Sequence, residues 1–133
     1  MPSNYRFIEH TSDIIIEANG ETFASAFEAL AQGMFTQMGE AKPKEKMKIT
    51  ATGTAPDILL VNALSTLLAE MEIEKFTPAK ITDVKADLEN GKISFFVLGE
   101  KKQPKNIIKA VTFHELLVEE KNGKWRLRVL FDI

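Results

Sequence analysis

Hydrophobic residues recur at helical spacing in two segments of the first half of the chain. The first segment begins after Thr22, a residue type that favours the N-cap position, and ends before Gly39; its apolar residues are Phe23, Phe27, Leu30 and Met34. The second is predicted over residues 56–73, with an apolar stripe formed by Leu60, Leu64, Leu67, Leu68 and Met71. Thr54-Ala55-Pro56-Asp57 precedes this stripe and has the Thr-x-x-Asp form of a capping box. Because apolar stripes usually face a core, we predict two amphipathic helices packed against the protein interior.

Most of the remaining chain alternates between apolar and polar residues, which is the pattern of β-strands. The predicted strands are 5–9, 13–18, 44–51, 79–88, 92–99, 114–120 and 124–131. Asn90-Gly91 and Asn122-Gly123 separate the last four into two pairs, and Asn-Gly between such runs is a strong hairpin signal. The 133 residues, 44% of them hydrophobic, are enough for one core. We therefore predict a single two-layer α+β domain over residues 1–133, with two helices packed on largely antiparallel β-sheet.

Lysines occupy one face of the predicted strand 44–51. Lys44, Lys46 and Lys48 alternate there with apolar residues. Such lysines commonly keep an edge strand from pairing with another molecule, and this is the interpretation that we adopt. Contact with phosphate groups is the alternative.

Composition narrows the functional classes. The chain has no cysteine, which excludes disulfides, thiolate zinc sites and a cysteine nucleophile. Its net charge of −2 and pI of about 5.7 argue against a dedicated nucleic-acid binder, although they leave room for a local basic patch. We find no signal-peptide pattern and no apolar run of membrane-spanning length, so we expect a cytoplasmic protein without membrane contact.

Few residues are candidates for chemistry, because no phosphate-binding loop, dinucleotide fingerprint or nucleophile elbow is present. The candidates are His10, Asp13, Lys109, His114 and Asp132. Asp132 lies at the end of the last strand, next to the terminal carboxylate of Ile133, and together with Asp13 these groups would form a cluster of hard oxygens suited to calcium or magnesium. The alternative is that Asp132 pairs with an arginine and Asp13 caps a turn. The histidines and Lys109 could equally be ordinary surface residues.

Three separated segments resemble the archease family. They are Phe7-Ile8-Glu9-His10-Thr11-Ser12-Asp13-Ile14, Lys109-Ala110-Val111-Thr112-Phe113-His114 and the closing Val129-Leu130-Phe131-Asp132-Ile133. Their order and the chain length also match, so the resemblance covers essentially the whole chain. The chain departs from the family in having Phe113 where tyrosine is usual. It also departs in the second helix, where a tryptophan and an Asn-Glu pair are often found and this chain has Ala63, Ser65 and Thr66.

The resemblance implies a metal site and a partner. In archeases the aspartate of the His-Thr-x-Asp motif, the C-terminal aspartate and the final residue hold a divalent cation, which places this site on Asp13, Asp132 and Ile133. The cation would be calcium, with magnesium or manganese as alternatives. His10, Thr11, Lys109 and His114 would then be the further functional positions.

The implied function is activation of an RtcB-type RNA ligase in tRNA splicing and RNA repair, by promoting its GTP-dependent guanylylation and multiple turnover. Such a protein would be an accessory factor and not itself an enzyme, and it would contact RNA only indirectly. The alternative is a metal-dependent hydrolase that uses the same carboxylates on phosphoesters, with His10 or His114 as general base. A zinc carrier is a third interpretation, disfavoured by the oxygen-rich residue set. The sequence leaves the oligomeric state open.

Overall fold

The computed structural model describes residues 3–8, 13–105 and 108–133. In these ranges the chain forms two α-helices and seven β-strands. Their order is β1 (Asn4–Ile8), β2 (Asp13–Gly20), α1 (Phe23–Thr36), β3 (Glu45–Thr52), α2 (Pro56–Glu74), β4 (Thr77–Asp87), β5 (Lys92–Glu100), β6 (Ala110–Lys121) and β7 (Lys124–Asp132).

The strands divide into two sheets, in which every pairing is antiparallel. The first sheet has the strand order β1-β2-β7-β6 and the second has the order β3-β5-β4. The predicted α+β class, with two helices and antiparallel sheet, is therefore confirmed. Strand β6 begins at Ala110, earlier than the predicted residue 114, because residues 110–112 pair with residues 130–132 of β7.

The Asn122-Gly123 hairpin is confirmed, and its backbone explains the residue choice. Asn122 has φ 55° and Gly123 has φ 75°, and a two-residue hairpin turn of type I′ needs positive φ at both central positions. Glycine adopts this conformation without steric cost, and asparagine tolerates it better than most residues.

The two helix starts differ from each other. At α1 the predicted N-cap is confirmed, because the Thr22 hydroxyl accepts a hydrogen bond from the Ser25 N–H at 3.0 Å and the Ser25 hydroxyl accepts one from the Thr22 N–H at 3.0 Å. At α2 the predicted capping box on Thr54 is wrong. Pro56 occupies the first helical turn, so the N-cap is Ala55, whose side chain has no oxygen.

Each helix contacts both sheets. Helix α1 packs against β2 of the first sheet and β4 of the second, while α2 packs against β6 and β3. The predicted apolar stripes are confirmed as core, and buried residues from both helices and both sheets form one hydrophobic cluster. Because side chains alternate along a strand, the face of each sheet opposite the core carries its polar side chains. In the described part of the chain, neither helix combines the length and apolarity needed to span a membrane.

Candidate functional site at the end of the first sheet

The structure brings Asp13 and Asp132 together. Asp13 is the first residue of β2, Asp132 is the last residue of β7, and the two are direct cross-strand partners. Directly opposed residues of antiparallel strands project to the same face, with Cβ atoms about 4.5–5.5 Å apart. Asp132 is exposed and Asp13 is partly buried. Two opposed carboxylates repel each other, and a cation bound between them would offset that repulsion.

Lys109 and Ile133 adjoin this pair. The backbone N–H of Lys109 donates a hydrogen bond to the backbone carbonyl of Asp132 at 2.7 Å, which holds the segment before β6 against the end of β7. The Lys109 side chain is exposed. Ile133, 45% exposed, follows Asp132, and its main-chain carboxylate is the third ligand that the family resemblance implies. An amine and three carboxylates are thus attached to neighbouring backbone positions at one corner of the sheet.

These groups offer a metal ion oxygen ligands. No cluster of three or more His, Cys, Asp or Glu residues with metal-binding geometry occurs within residues 3–8, 13–105 and 108–133. A cation here would instead be held by the paired Asp13 and Asp132 side chains, with the Ile133 carboxylate that the family resemblance implies as a third ligand. This donor set fits a hard divalent cation such as calcium or magnesium and not a soft one. His10 and Thr11 lie outside the described residues, so their predicted roles stay predictions.

His114 lies away from the carboxylates. A bulge in β6 places residues 113–116 opposite Val129 alone, between the pairs Thr112–Leu130 and Leu117–Arg128. Val129 and Asp132 are three positions apart on β7, about 10 Å at the usual rise of a strand. His114 is exposed, and its backbone N–H donates to the Thr112 hydroxyl at 3.3 Å. The structure therefore does not place His114 beside Asp13 and Asp132.

Sequence reasoning missed a cavity beside Lys109. Its volume is about 340 Å³, and it lies between α2 and the segment 108–111. The residues that α2 contributes are Ser65, Leu68, Ala69, Met71 and Glu72. Their spacing of three and four residues places them on one face of the helix, and this spacing was the signal in the sequence that pointed to the cavity. Lys109 thus borders both the carboxylate corner and a partly apolar cavity.

A second feature that the sequence did not reveal is a buried carboxylate among arginines. The side chain of Glu17, on the outer face of β2, is only 4% exposed. Its Oε2 accepts hydrogen bonds from Arg128 Nη2 at 2.8 Å and Nε at 3.1 Å, and its Oε1 accepts one from Arg6 Nη2 at 3.0 Å. Arg126 Nε lies 3.3 Å from Oε1, with a geometry that falls short of a hydrogen bond.

The arginines determine the charge state of Glu17. Burial alone would raise the pKa of its carboxyl, but hydrogen bonds from Arg128 and Arg6 and the charge of Arg126 lower that pKa below its ordinary value. Glu17 is therefore ionised at neutral pH. In the described part of the chain both arginines of β7 are directed at Glu17, so the alternative of an arginine partner for Asp132 finds no support there.

Comparison with known sequences identifies the family of the chain. The family model described as "Archease protein family (MTH1598/TM1083)" matches residues 5–133. A relative named protein archease from Methanosarcina mazei is 33% identical, and the match covers 100% of both chains. Another protein archease, from Thermococcus kodakarensis, is 34% identical over 94% of this chain and 95% of its own length.

Comparison with solved structures finds proteins of the same fold. Protein 1598 of Methanobacterium thermoautotrophicum superposes with a TM-score of 0.73 at 26% identity, covering 98% of this chain and 99% of the other. An archease from Thermotoga maritima, described as a possible chaperone, shares the fold with a TM-score of 0.70 at 20% identity, over 95% of this chain and 94% of the other. On the family match and these relatives, the chain belongs to the archease family.

Proposed function

We propose that this protein is a cytoplasmic accessory factor that activates an RtcB-type RNA ligase in tRNA splicing and RNA repair. It would do so by promoting GTP-dependent guanylylation of the ligase and thereby multiple turnover. The observation that carries the proposal is the direct pairing of Asp13 with Asp132, next to the exposed C-terminal residue and Lys109. The resemblance to archeases implies functional roles for the same positions.

The geometry supports a role in positioning. Asp13 and Asp132 are fixed by the register of two paired strands, and Lys109 is fixed by its backbone hydrogen bond to Asp132. Backbone positions held in this way need no reordering when a partner binds, and only the exposed side chains of Lys109 and Asp132 lose conformational freedom. A bound divalent cation would supply positive charge and free coordination positions for oxygen ligands of the ligase. The Lys109 ammonium, close to the same corner, would contact an acidic or phosphate group of the ligase–nucleotide complex.

The test is a ligation time course. A cognate RtcB-type ligase, GTP, metal and an RNA with a 3′-phosphate and a 5′-hydroxyl end would be incubated under multiple-turnover conditions, with and without this protein. We expect more product per ligase molecule and faster accumulation of guanylylated ligase when the protein is present. Equal rates in both reactions would contradict the proposal. A parallel reaction without ligase, on model phosphoesters, should show no hydrolysis; hydrolysis there would favour the metal-dependent hydrolase instead.

The metal preference of the site gives a direct prediction. Because Asp13, Asp132 and the terminal carboxylate offer only oxygen ligands, we expect calorimetric titration to show binding of calcium, with magnesium or manganese as weaker ligands. The Asp13→Asn variant, which keeps the side-chain shape and removes one charge, should lose most of the calcium heat. Tight zinc binding without a calcium response would contradict this assignment and would indicate histidine ligands.

The lysines near the site are expected to differ in importance. Lys109→Ala should abolish most of the ligase stimulation, because its side chain starts from a backbone position that is hydrogen-bonded to Asp132 at the carboxylate corner. Lys101 forms an exposed ion pair with Glu74 at 3.1 Å, and Lys102 one with Glu100 at 3.8 Å. Exposed pairs of this kind contribute little and mainly tune the rate of encounter with a partner.

The control for Lys109→Ala is a variant with Lys101, Lys102 and Lys105 all changed to Gln. We expect this triple variant to stimulate the ligase fully when the variant is present at high concentration. The ligation rate should fall more steeply than with the unmodified protein as that concentration is lowered. If this triple variant were inactive while Lys109→Ala stimulated normally, the assignment of Lys109 would be wrong.

A further inference from the structure

The outer face of the second sheet carries a concentration of lysines. The strand register places these lysines in four cross-strand rows. In the first row Lys46 and Lys80 lie on either side of Leu98, and in the second Lys48 lies beside Phe96. In the third row Lys85 lies beside Ser94, and in the fourth Lys92 lies beside Asp87. We call this surface the basic face; its side chains are Lys46, Lys48, Thr50, Thr52, Lys80, Thr82, Lys85, Asp87, Lys92, Ser94, Phe96 and Leu98. The four rows carry five lysines and one aspartate, a net charge of +4, and Glu100 lies beyond them at the end of β5, whereas the whole chain carries −2. Positive charge is therefore segregated onto one side of an otherwise acidic protein.

An aromatic ring lies at the centre of the basic face. Phe96 is on the middle strand β5, directly between Lys48 of β3 and Thr82 of β4, and it is only partly buried. The Nζ atom of Lys46 lies 4.2 Å from the ring centroid, and that of Lys48 lies 5.8 Å away. The ring thus has ammonium groups next to a partly accessible surface, a combination used to bind bases and phosphates together.

A depression adjoins the ring on the same face. Its volume is about 560 Å³, and its polar lining consists of the hydroxyl residues Thr50, Thr52 and Ser94, of Lys85 and Lys92, and of one carboxylate, Asp87. Ala51, Ala86 and Ile93 complete the lining. Hydroxyl groups and ammonium groups both donate hydrogen bonds to phosphate oxygens. Hydroxyls also pair with the 2′-hydroxyl of ribose, which is the group that distinguishes RNA from DNA.

Protection of a sheet edge accounts for only part of this pattern. Strands β3 and β4 are the edges of the second sheet, and lysines on them would hinder pairing with another molecule. Lys92 and Phe96, however, lie on the central strand β5, both of whose edges are already paired. A central lysine and a partly accessible ring add nothing to edge protection, so a ligand is the better explanation for them.

We propose that the basic face binds single-stranded RNA directly, with backbone phosphates on the lysines and one base stacked on Phe96. The four cross-strand rows extend about 20 Å along the strands, at about 3.4 Å per residue, which is long enough for several nucleotides. A four-stranded sheet with exposed aromatics binds single-stranded RNA in the same manner in other proteins. This contact is independent of ligase activation, and it adds a direct RNA contact to the indirect one expected from the sequence.

The test uses the purified protein alone and a fluorescently labelled 12-nucleotide oligouridylate, with binding followed by fluorescence anisotropy. Phe96→Leu keeps an apolar side chain but removes the stacking surface, and we expect affinity to fall about 5- to 150-fold. Lys46→Gln with Lys48→Gln removes two phosphate contacts, and we expect the slope of log K against log salt to fall by about 1.4. The matched control, Lys121→Gln with Lys124→Gln in the β6–β7 hairpin, removes the same charge from exposed positions of the other sheet and should bind like the unmodified protein.

Further measurements keep the test independent of variant folding. In NMR titration of the unmodified protein, the oligonucleotide should shift amides of β3, β4 and β5. No binding at 50 mM salt, shifts confined to other elements, or an equal effect of the control variant would overturn the proposal. If a DNA oligonucleotide of the same length bound as tightly as the oligouridylate, the assignment to RNA would be overturned. Equal affinity for a polyglutamate peptide would instead assign the face to an acidic protein.

Discussion

Replacement of Glu17 by Gln is expected to lower the free energy of unfolding by about 3 kcal/mol, the lower end of the range for removing one partner of a buried ion pair. The carboxylate is buried and accepts three hydrogen bonds from Arg6 and Arg128, so its loss leaves guanidinium groups packed together without a counter-charge. The arginines themselves remain partly exposed, with side-chain exposures of 66% for Arg6 and 29% for Arg128, and water therefore compensates in part. Urea unfolding at neutral pH measures this difference. Glu120→Gln, at an exposed position, is the control and should change stability by less than about 0.5 kcal/mol.

The difference in unfolding free energy between the unmodified protein and Glu17→Gln should depend on pH, and the pKa of Glu17 determines the sign of that dependence. The folded-state pKa of Glu17 is lower than its ordinary value near 4.5, so the ionised form is the one that stabilises the fold. The stabilisation is complete above the unfolded-state pKa and is lost as the pH falls through the folded-state pKa. The difference in unfolding free energy between the unmodified protein and Glu17→Gln should therefore be constant from pH 7 to pH 5.5 and decrease below about pH 4.5. A difference that grew as the pH fell would contradict this account.

Glu17 also shows why part of the fold was beyond sequence reasoning. In Ile14-Ile15-Ile16-Glu17-Ala18 the glutamate occupies the polar face of a strand, where a solvent-exposed side chain is the ordinary expectation. Its burial depends on Arg6 from β1 and Arg128 from β7, and the second of these is 111 residues away in the chain. Cross-strand partners follow from the register of distant segments, which hydrophobic periodicity does not specify.

Local features were predictable because nearby residues determine them. Thr22 and Ser25 cap α1 through neighbouring backbone groups, and Asn122-Gly123 supplies the positive φ values of its turn. The α2 cap was mispredicted although it is equally local, because two signals competed: the helix begins at Pro56, which makes Ala55 and not Thr54 the N-cap. Helix and hairpin positions thus follow from short-range physics, whereas the division into two sheets does not.

The candidate site was partly predictable for a related reason. Asp13 and Asp132 could be selected as polar residues at the ends of apolar strands, and the structure places them opposite each other. The basic face was less accessible, since Lys46 and Lys48 indicate only an edge strand until the neighbouring strands are known. Phe96 was also obscured, because Phe95-Phe96-Val97 is a continuous apolar run in which the sequence does not distinguish the core face from the outer face.

Alanine at Asp13 or at Asp132 is expected to remove most of the stimulation of the ligase, about tenfold or more in the rate of guanylylation, because each variant loses a charged ligand of the proposed cation site. The double variant should lose little more than either single variant. Residues that act through one shared ion behave as a unit, so their effects on activity are not additive. The measurement is the initial rate of guanylylation with each purified variant, at saturating GTP and metal.

Two comparisons separate loss of function from loss of structure. Glu120→Ala, an exposed acidic position on the same sheet, should stimulate the ligase normally. Circular dichroism and urea unfolding should show all variants folded, since removing one of two opposed carboxylates relieves repulsion in the metal-free protein and offsets the lost ligand. Calcium titration should show weaker binding in both single variants. Full stimulation by either single variant, or strictly additive losses in the double variant, would contradict a shared site and return Asp13 and Asp132 to separate structural roles.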